Sequence, residues 1–141
     1  GQTLILLELE KDIYGKENYK YLTQLIEEKA KEDKIVIDLF QSNHEGEIID
    51  RIQEAYFDET DGIVINPGAF THYSYAIRDG LSSLSIPKVE VHISNIHKRE
   101  EFRHKSVTAA ACDGQISGLG LYGYLIAIDG VKRLILKENH K

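Results

Sequence analysis

Residues 62–106 read GIVINPGAFTHYSYAIRDGLSSLSIPKVEVHISNIHKREEFRHKS. Two apolar runs lie within them, Ile63-Val64-Ile65 and Val89-Glu90-Val91, and each stops abruptly at a polar cluster. The first cluster is Asn66-Pro67-Gly68-Ala69-Phe70-Thr71-His72 and the second is His92-Ile93-Ser94-Asn95. Open α/β sheets hold their ligands just past the carboxyl ends of buried parallel strands. The pattern therefore predicts two strands of a parallel sheet, with a candidate site where they end.

The flanking sequence extends the alternation. Gln2–Leu7 is a continuous apolar run of strand length, as expected for a strand buried on both faces. Glu8–Gly15 is charged and ends in Gly, which reads as a loop. Asn18–Lys31 has helical spacing, with Tyr19, Leu22, Leu25, Ile26 and Ala30 on one stripe. Ile35–Phe40 is a second β-branched run. Ser42 or Asn43 can cap a following helix whose inner face carries Ile48, Ile49, Ile52, Ala55 and Tyr56. Gly62–Ile65 is a third strand, Thr71–Leu81 a third helix and Pro87–His92 a fourth strand. Arg99–Phe102 reads as a short helical turn and Gln115–Ser117 as a weak fifth strand. Leu121–Leu136 is a closing helix carrying Leu125, Ile126, Ile128 and Val131, with Gly130 as its weak point. Strands and helices alternating at this spacing imply a parallel sheet with helices on both faces, joined by right-handed crossovers.

The 141 residues fit one domain, residues 1–141, with a core large enough to be stable without staples. A composition 42% hydrophobic and 28% charged reads as soluble and globular. The formal net charge of −6 argues against a nucleic-acid partner, whose binding needs Lys and Arg against phosphates. The basic cluster of Arg99, Arg103, His104 and Lys105 still suits a small anion. One cysteine, Cys112, excludes an internal disulfide and a Cys-rich zinc site, as in a reducing compartment. No apolar run approaches the roughly 20 residues that span a bilayer, so no membrane partner is expected. With no signal-peptide pattern at its start, the chain is expected in the cytoplasm.

Gly118-Leu119-Gly120-Leu121-Tyr122-Gly123 has the spacing of a dinucleotide-binding loop, but a following strand with an acidic residue about 20 positions on is missing. It reads as a glycine-rich turn that lets the last helix pack closely. Six histidines raise the question of a metal, yet neither His72 nor His92 has a partner at the ligand spacings expected for zinc, and no metal is expected. His44, His97, His104 and His140 read as surface residues. His72 and His92, each just beyond a strand, are either hydrogen-bonded core-edge residues or proton-transfer groups, a role for which imidazole is the usual side chain. The strand order brings Asn66, Ser94, Asn95, Arg99 and Arg103 to the same edge. An Arg fork grips a carboxylate, and Asn and Ser hold hydroxyls, so the set suits a small polyhydroxylated acid.

Several motifs together resemble type II 3-dehydroquinate dehydratase. They are Gln41-Ser42-Asn43-His44-Glu45-Gly46, Asn66-Pro67-Gly68-Ala69 with Thr71-His72, Arg78-Asp79, and Glu90-Val91-His92-Ile93-Ser94-Asn95 with Arg99-Glu100-Glu101-Phe102-Arg103. The likeness runs from about Asp12 to the end of the last helix. It implies a flavodoxin-like fold with a five-stranded parallel sheet, and assembly as a homododecamer of four trimers. It further implies elimination of water from 3-dehydroquinate to give 3-dehydroshikimate in the shikimate pathway, with no metal or organic cofactor. Matched by position, Tyr14 is the general base and His92 the general acid. Asn66, His72, Ile93, Ser94 and Arg103 are substrate-binding positions, with the Ile93 and Ser94 amides toward the substrate carboxylate. Asp79 matches the acidic residue that reaches a neighbouring subunit's site, and Arg99 a supporting arginine on the lid side.

The resemblance breaks before Tyr14. The family has a loop reading approximately Asn-Gly-Pro-Asn-Leu-Asn-x-Leu-Gly-x-Arg-Glu there, whereas Gln2–Leu7 runs almost directly into Glu8–Gly15. About ten residues of that loop have no counterpart if Gln2–Leu7 is the first strand. The loop Arg matters, because a free phenol with pKa about 10 needs a nearby cation to ionise at neutral pH. Two readings follow: a dehydratase, or a homologue that only binds shikimate-like acids. A flavodoxin-like nucleotide-binding module is the third, resting on the glycine turn alone.

Overall fold

The computed structural model describes residues 2–9 and 16–139. In chain order it has β1 (Thr3–Glu8), α1 (Lys16–Asp33), β2 (Val36–Gln41), α2 (Glu45–Phe57) and β3 (Gly62–Asn66). There follow α3 (Tyr75–Ser82), β4 (Lys88–His92), β5 (Gly114–Ser117) and α4 (Tyr122–Asn139). Short 3-10 turns fill the connections after β3 and β4. The strands form one parallel sheet in the order β2-β1-β3-β4-β5. This is the flavodoxin-like order, with the reversal of direction, and hence the ligand crevice, between β1 and β3.

Alternation along the strands sorts the core into two layers. Leu4 and Leu6 of β1, Val64 of β3 and Val89 and Val91 of β4 pack with Leu22 and Ile26 of α1 and Ala127, Ile128 and Val131 of α4. Ile5, Leu7, Ile63 and Ile65 face the other way, against Ile48 and Ile52 of α2 and Ile77 and Leu81 of α3. Each such fully buried side chain contributes roughly 1.5–3 kcal/mol relative to exposure. The parallel sheet buried on both faces is therefore as expected, and so is the helix on each side.

Four local expectations are corrected. The third helix does not run unbroken from Thr71: Gly68–His72 is a 3-10 turn, and α3 starts only at Tyr75. The Ser74 hydroxyl sets that start by accepting the Ile77 amide at 3.1 Å. Ser42 does not cap α2 directly, since the N-cap is His44; its hydroxyl instead accepts the His44 amide at 3.0 Å and donates to Glu47 at 3.1 Å. Tyr56, expected inward, is exposed, because it falls at the margin of its helical stripe. The segment around Arg99–Phe102 forms two 3-10 turns, Ile96–Lys98 and Glu101–Arg103, that leave Arg99 between them.

One glycine sets how closely α4 approaches the sheet. A Cβ on Gly62 would lie 2.3 Å from Val131 Cγ1 and 3.2 Å from Leu4. Gly62→Ala therefore overpacks the layer beneath α4 and lowers stability by about 1–3 kcal/mol in urea unfolding. Gly46, exposed in the first turn of α2, has nothing within 4 Å of its ideal Cβ. Gly46→Ala is expected to raise stability in the same unfolding experiment by about 0.4–1 kcal/mol, a sign opposite to that at Gly62.

Candidate functional site

β3 and β4 end side by side, and the side chains at their ends fall into two groups on opposite faces of the sheet. On the α2/α3 face Glu90 is fully buried, and His92, two residues on, follows it on the same side. His92 Nε2 lies 2.9 Å from Glu90 Oε2. The same carboxylate accepts from Ser106 Oγ at 2.8 Å, Gln115 Nε2 at 2.8 Å and the Thr108 hydroxyl. Burial pushes the Glu90 pKa up, but the hydrogen bonds from His92, Thr108 and Ser106 outweigh it and hold the carboxyl below its ordinary range. Glu90 is thus ionised at neutral pH. An ionised carboxylate can only accept, so the shared proton belongs to His92 Nε2, and Nδ1 remains for chemistry.

On the α1/α4 face Asn66, also fully buried, donates from Nδ2 to the Tyr124 hydroxyl at 2.8 Å and accepts the Gly68 amide at 3.0 Å. The Tyr124 hydroxyl donates in turn to Glu8 at the end of β1. Gly68 has φ 59°, which lets the chain turn sharply out of β3.

The segment after β4 is braced by the glycine turn before α4. Gly118 and Gly120 hold left-handed backbone, with φ 85° and 63°. Their amides donate to the carbonyls of His92 at 3.2 Å and Ile93 at 3.0 Å. The turn thus positions the β4 end as well as seating α4, and a Cβ on Gly118 would come within 3.1 Å of Asn95. Ser94, half-buried, accepts Ser117 Oγ on its carbonyl at 3.2 Å. Asn95 caps the next 3-10 turn through the His97 amide at 3.0 Å, so its side chain has a structural task.

The remaining candidates lie around this edge. His72 Nδ1 is 2.8 Å from the Lys105 carbonyl, and its ring meets Phe102 edge-on at 6.5 Å. The Arg103 guanidinium lies over the Phe102 ring at 4.8 Å, with Nε 2.9 Å from Glu100. His72, Phe102 and Arg103 are therefore brought together. Arg99 and Asp79 are exposed, Asp79 on α3. Tyr14 lies outside the described residues, as does His140. Sequence reading missed Glu90, Ser106, Thr108 and Tyr124. A signal for Glu90 was present, a charged residue in the middle of an otherwise apolar strand two positions before a histidine. Burial raises the Cys112 thiol to about 12, so it stays protonated and is not a nucleophile at neutral pH. Among the described residues no helix is long and apolar enough to cross a membrane, and no group of three or more His, Cys, Asp or Glu could hold a metal ion.

A parallel sheet whose β4 ends in a buried His–carboxylate pair and whose β3 ends in a buried amide, with an arginine in the segment after β4, defines a class of α/β proteins suited to small acids. Comparison with known proteins narrows it. The family model for Dehydroquinase class II matches residues 2–132. The 3-dehydroquinate dehydratase of Lachnoclostridium phytofermentans is 72% identical over 122 residues, 86% of this chain and 84% of the relative. That of Caldicellulosiruptor bescii is 56% identical over 136 residues, 96% of this chain and 94% of the relative. The crystal structure of type II dehydroquinase from Butyrivibrio crossotus superposes with a TM-score of 0.87 at 57% identity, covering 93% of this chain and 97% of that one. The chain belongs to the class II dehydroquinase family.

The depressed Glu90 pKa has a stability consequence. Its contribution is fully present above the unfolded carboxyl value of about 4.3 and is lost as pH falls through the lower folded value. Glu90→Gln, which cannot match four donors, should cost about 1.5–3 kcal/mol at pH 7. The gap between variant and parent in urea unfolding should then narrow steadily below about pH 4.

Proposed function

We propose that the chain is a 3-dehydroquinate dehydratase of type II, eliminating water from 3-dehydroquinate to give 3-dehydroshikimate in the shikimate pathway. The structural observation that carries this reading is the His92–Glu90 pair at the end of β4, held 2.9 Å apart and buried beside the crevice. Tyr14 takes the proton from the carbon next to the ketone, and the electrons move into an enolate. The enolate oxygen must be stabilised by donors before the next step. His92 then gives a proton from Nδ1 to the departing hydroxyl, while Glu90 holds Nε2 and faces the imidazolium with a counter-charge. Asn66, His72 and Arg103 grip the substrate together with the Ile93 and Ser94 amides at the β4 end. The glycine turn supports those amides by fixing the carbonyls of His92 and Ile93.

The functional unit is a cytoplasmic homododecamer of four trimers in which Asp79 reaches a neighbouring site and Arg99 supports the base loop. Exposure of Tyr73, Tyr75 and Phe102, each more than half accessible in the isolated chain, is consistent with coverage by other copies. Light scattering at the dodecamer mass is expected; a stable monomer would contradict the assembly.

A second reading, a homologue that binds shikimate-like acids without turning them over, is favoured by one observation. Residues 9–15, Leu-Glu-Lys-Asp-Ile-Tyr-Gly, contain no arginine to lower the Tyr14 phenol. The two readings separate in one assay. Incubation with 3-dehydroquinate should raise the ultraviolet absorbance of a conjugated enone, and His92→Ala should slow it by about 10²–10⁴-fold. Calorimetric binding of a shikimate-like acid that depends on Arg103, with no enone formed, would select the second reading.

A further inference from the structure

Tyr124 is wholly buried in the first turn of α4, and the steps assigned above do not use it. Its ring belongs to the apolar layer between α4 and the sheet, while its hydroxyl lies at the end of that layer against two polar side chains. Those side chains, Glu8 and Asn66, are register partners on β1 and β3. One hydroxyl therefore bridges the two strands between which the sheet order reverses.

The direction of the chain of hydrogen bonds is fixed by chemistry. The Gly68 amide can only donate, so the Asn66 atom it meets at 3.0 Å is the carbonyl oxygen. The other end of the side chain is then the NH2 group, and it donates to Tyr124 Oη at 2.8 Å. Having accepted there, the phenol gives its own proton to the Glu8 carboxylate. The Gly68 amide fixes the Oδ1 end of the side chain, and the Tyr124 hydroxyl fixes the Nδ2 end, so the two bonds together define the plane of the amide.

Resting on the reading of Asn66 as a substrate-binding residue, we propose that Tyr124 is a positioning residue of the dehydratase site. It holds the Asn66 amide in the plane that meets substrate, with Glu8 as the anchor of its hydroxyl. A purely structural explanation fits less well, since a buried carboxylate, amide and phenol cost desolvation in a core that apolar side chains could fill. The trio also stands at the crevice end of the strands, while the strand middles on that face are apolar.

The test is Tyr124→Phe, which keeps the ring and removes the hydroxyl. Misplacement of Asn66 should lower kcat/KM for 3-dehydroquinate by about 10- to 100-fold. It should do so with a raised KM, whereas a variant that merely folded less completely would lose apparent kcat at unchanged KM. In an Asn66→Ala background the same substitution should have no further effect. Equal losses in both backgrounds, or no loss in either, would overturn the proposal. Should Tyr124→Phe fold poorly because the buried Glu8 carboxyl loses a donor, the comparison is repeated in a Glu8→Gln background, which removes that carboxyl. Failure of the unmodified chain to form enone would count against the dehydratase reading alone. The positioning role is then decided by calorimetry with shikimate, whose affinity should fall in Tyr124→Phe only when Asn66 is present.

Discussion

A carboxylate in the interior of a sheet survives as a charge only if donors surround it, and Glu90 has four of them. They come from three parts of the chain. His92 is on the same strand, Gln115 is its register partner on β5, and Ser106 and Thr108 belong to the segment returning from the crevice. The requirement to satisfy one charge thus ties the edge strand, the return path of residues 93–108 and the proton donor into a single unit. It also fixes which imidazole nitrogen is occupied, and with it the direction in which His92 can act.

The period of two along a strand explains why the site is at the edge of the sheet. Glu90 and His92 point to one face, whereas Glu8 and Asn66 point to the other, because Val64, Val89 and Val91 occupy the layer that Asn66 and Tyr124 share. Groups on opposite faces of a sheet are separated by the sheet itself. They can serve one small ligand only where the strands stop, and β1, β3 and β4 all stop beside one another. The backbone beyond β4 needs a separate support there, which the two left-handed glycines provide from below α4.

The sequence made the strands and the crevice readable because both are local statements. Unbroken apolar runs such as Leu4–Leu7 and Ile63–Ile65 announce burial on both faces, and the polar residues that end them announce where burial stops. Asn66 and His92 could be named for that reason. Tyr124 could not: it is separated by 58 residues from Asn66 and by 116 from Glu8, and in its own helix it passes for an ordinary core aromatic. Ser106 and Thr108 were hidden in the same way, since their task is defined by a carboxylate on another element. The helix boundary at Ser74 was missed because the polar run before it could be read as first turn or as approach, and a single hydroxyl decides between them.

The opposite end of β4 shows what a buried polar group does where there is no site. Lys88 is nearly as buried as His92, and it is the first residue of the strand where His92 is the last. Its ammonium group donates to the carbonyls of Leu84 and Ile86, which follow α3, and its backbone amide donates to Asp113 at 2.8 Å. All its partners are backbone or structural, and it closes a connection. Ion pairs between α1 and α4 do similar work on the outside, with Lys29 bridging Asp33 and Asp129, and Lys132 reaching Asp33. Glu8, Asn66, Glu90 and His92 instead gather at the carboxyl ends, where each costs desolvation that a methyl group would not. The apolar strand middles supply the stability that offsets this cost. The asymmetry between the two ends of the same sheet follows from the demand that one end remain polar enough to take a substrate.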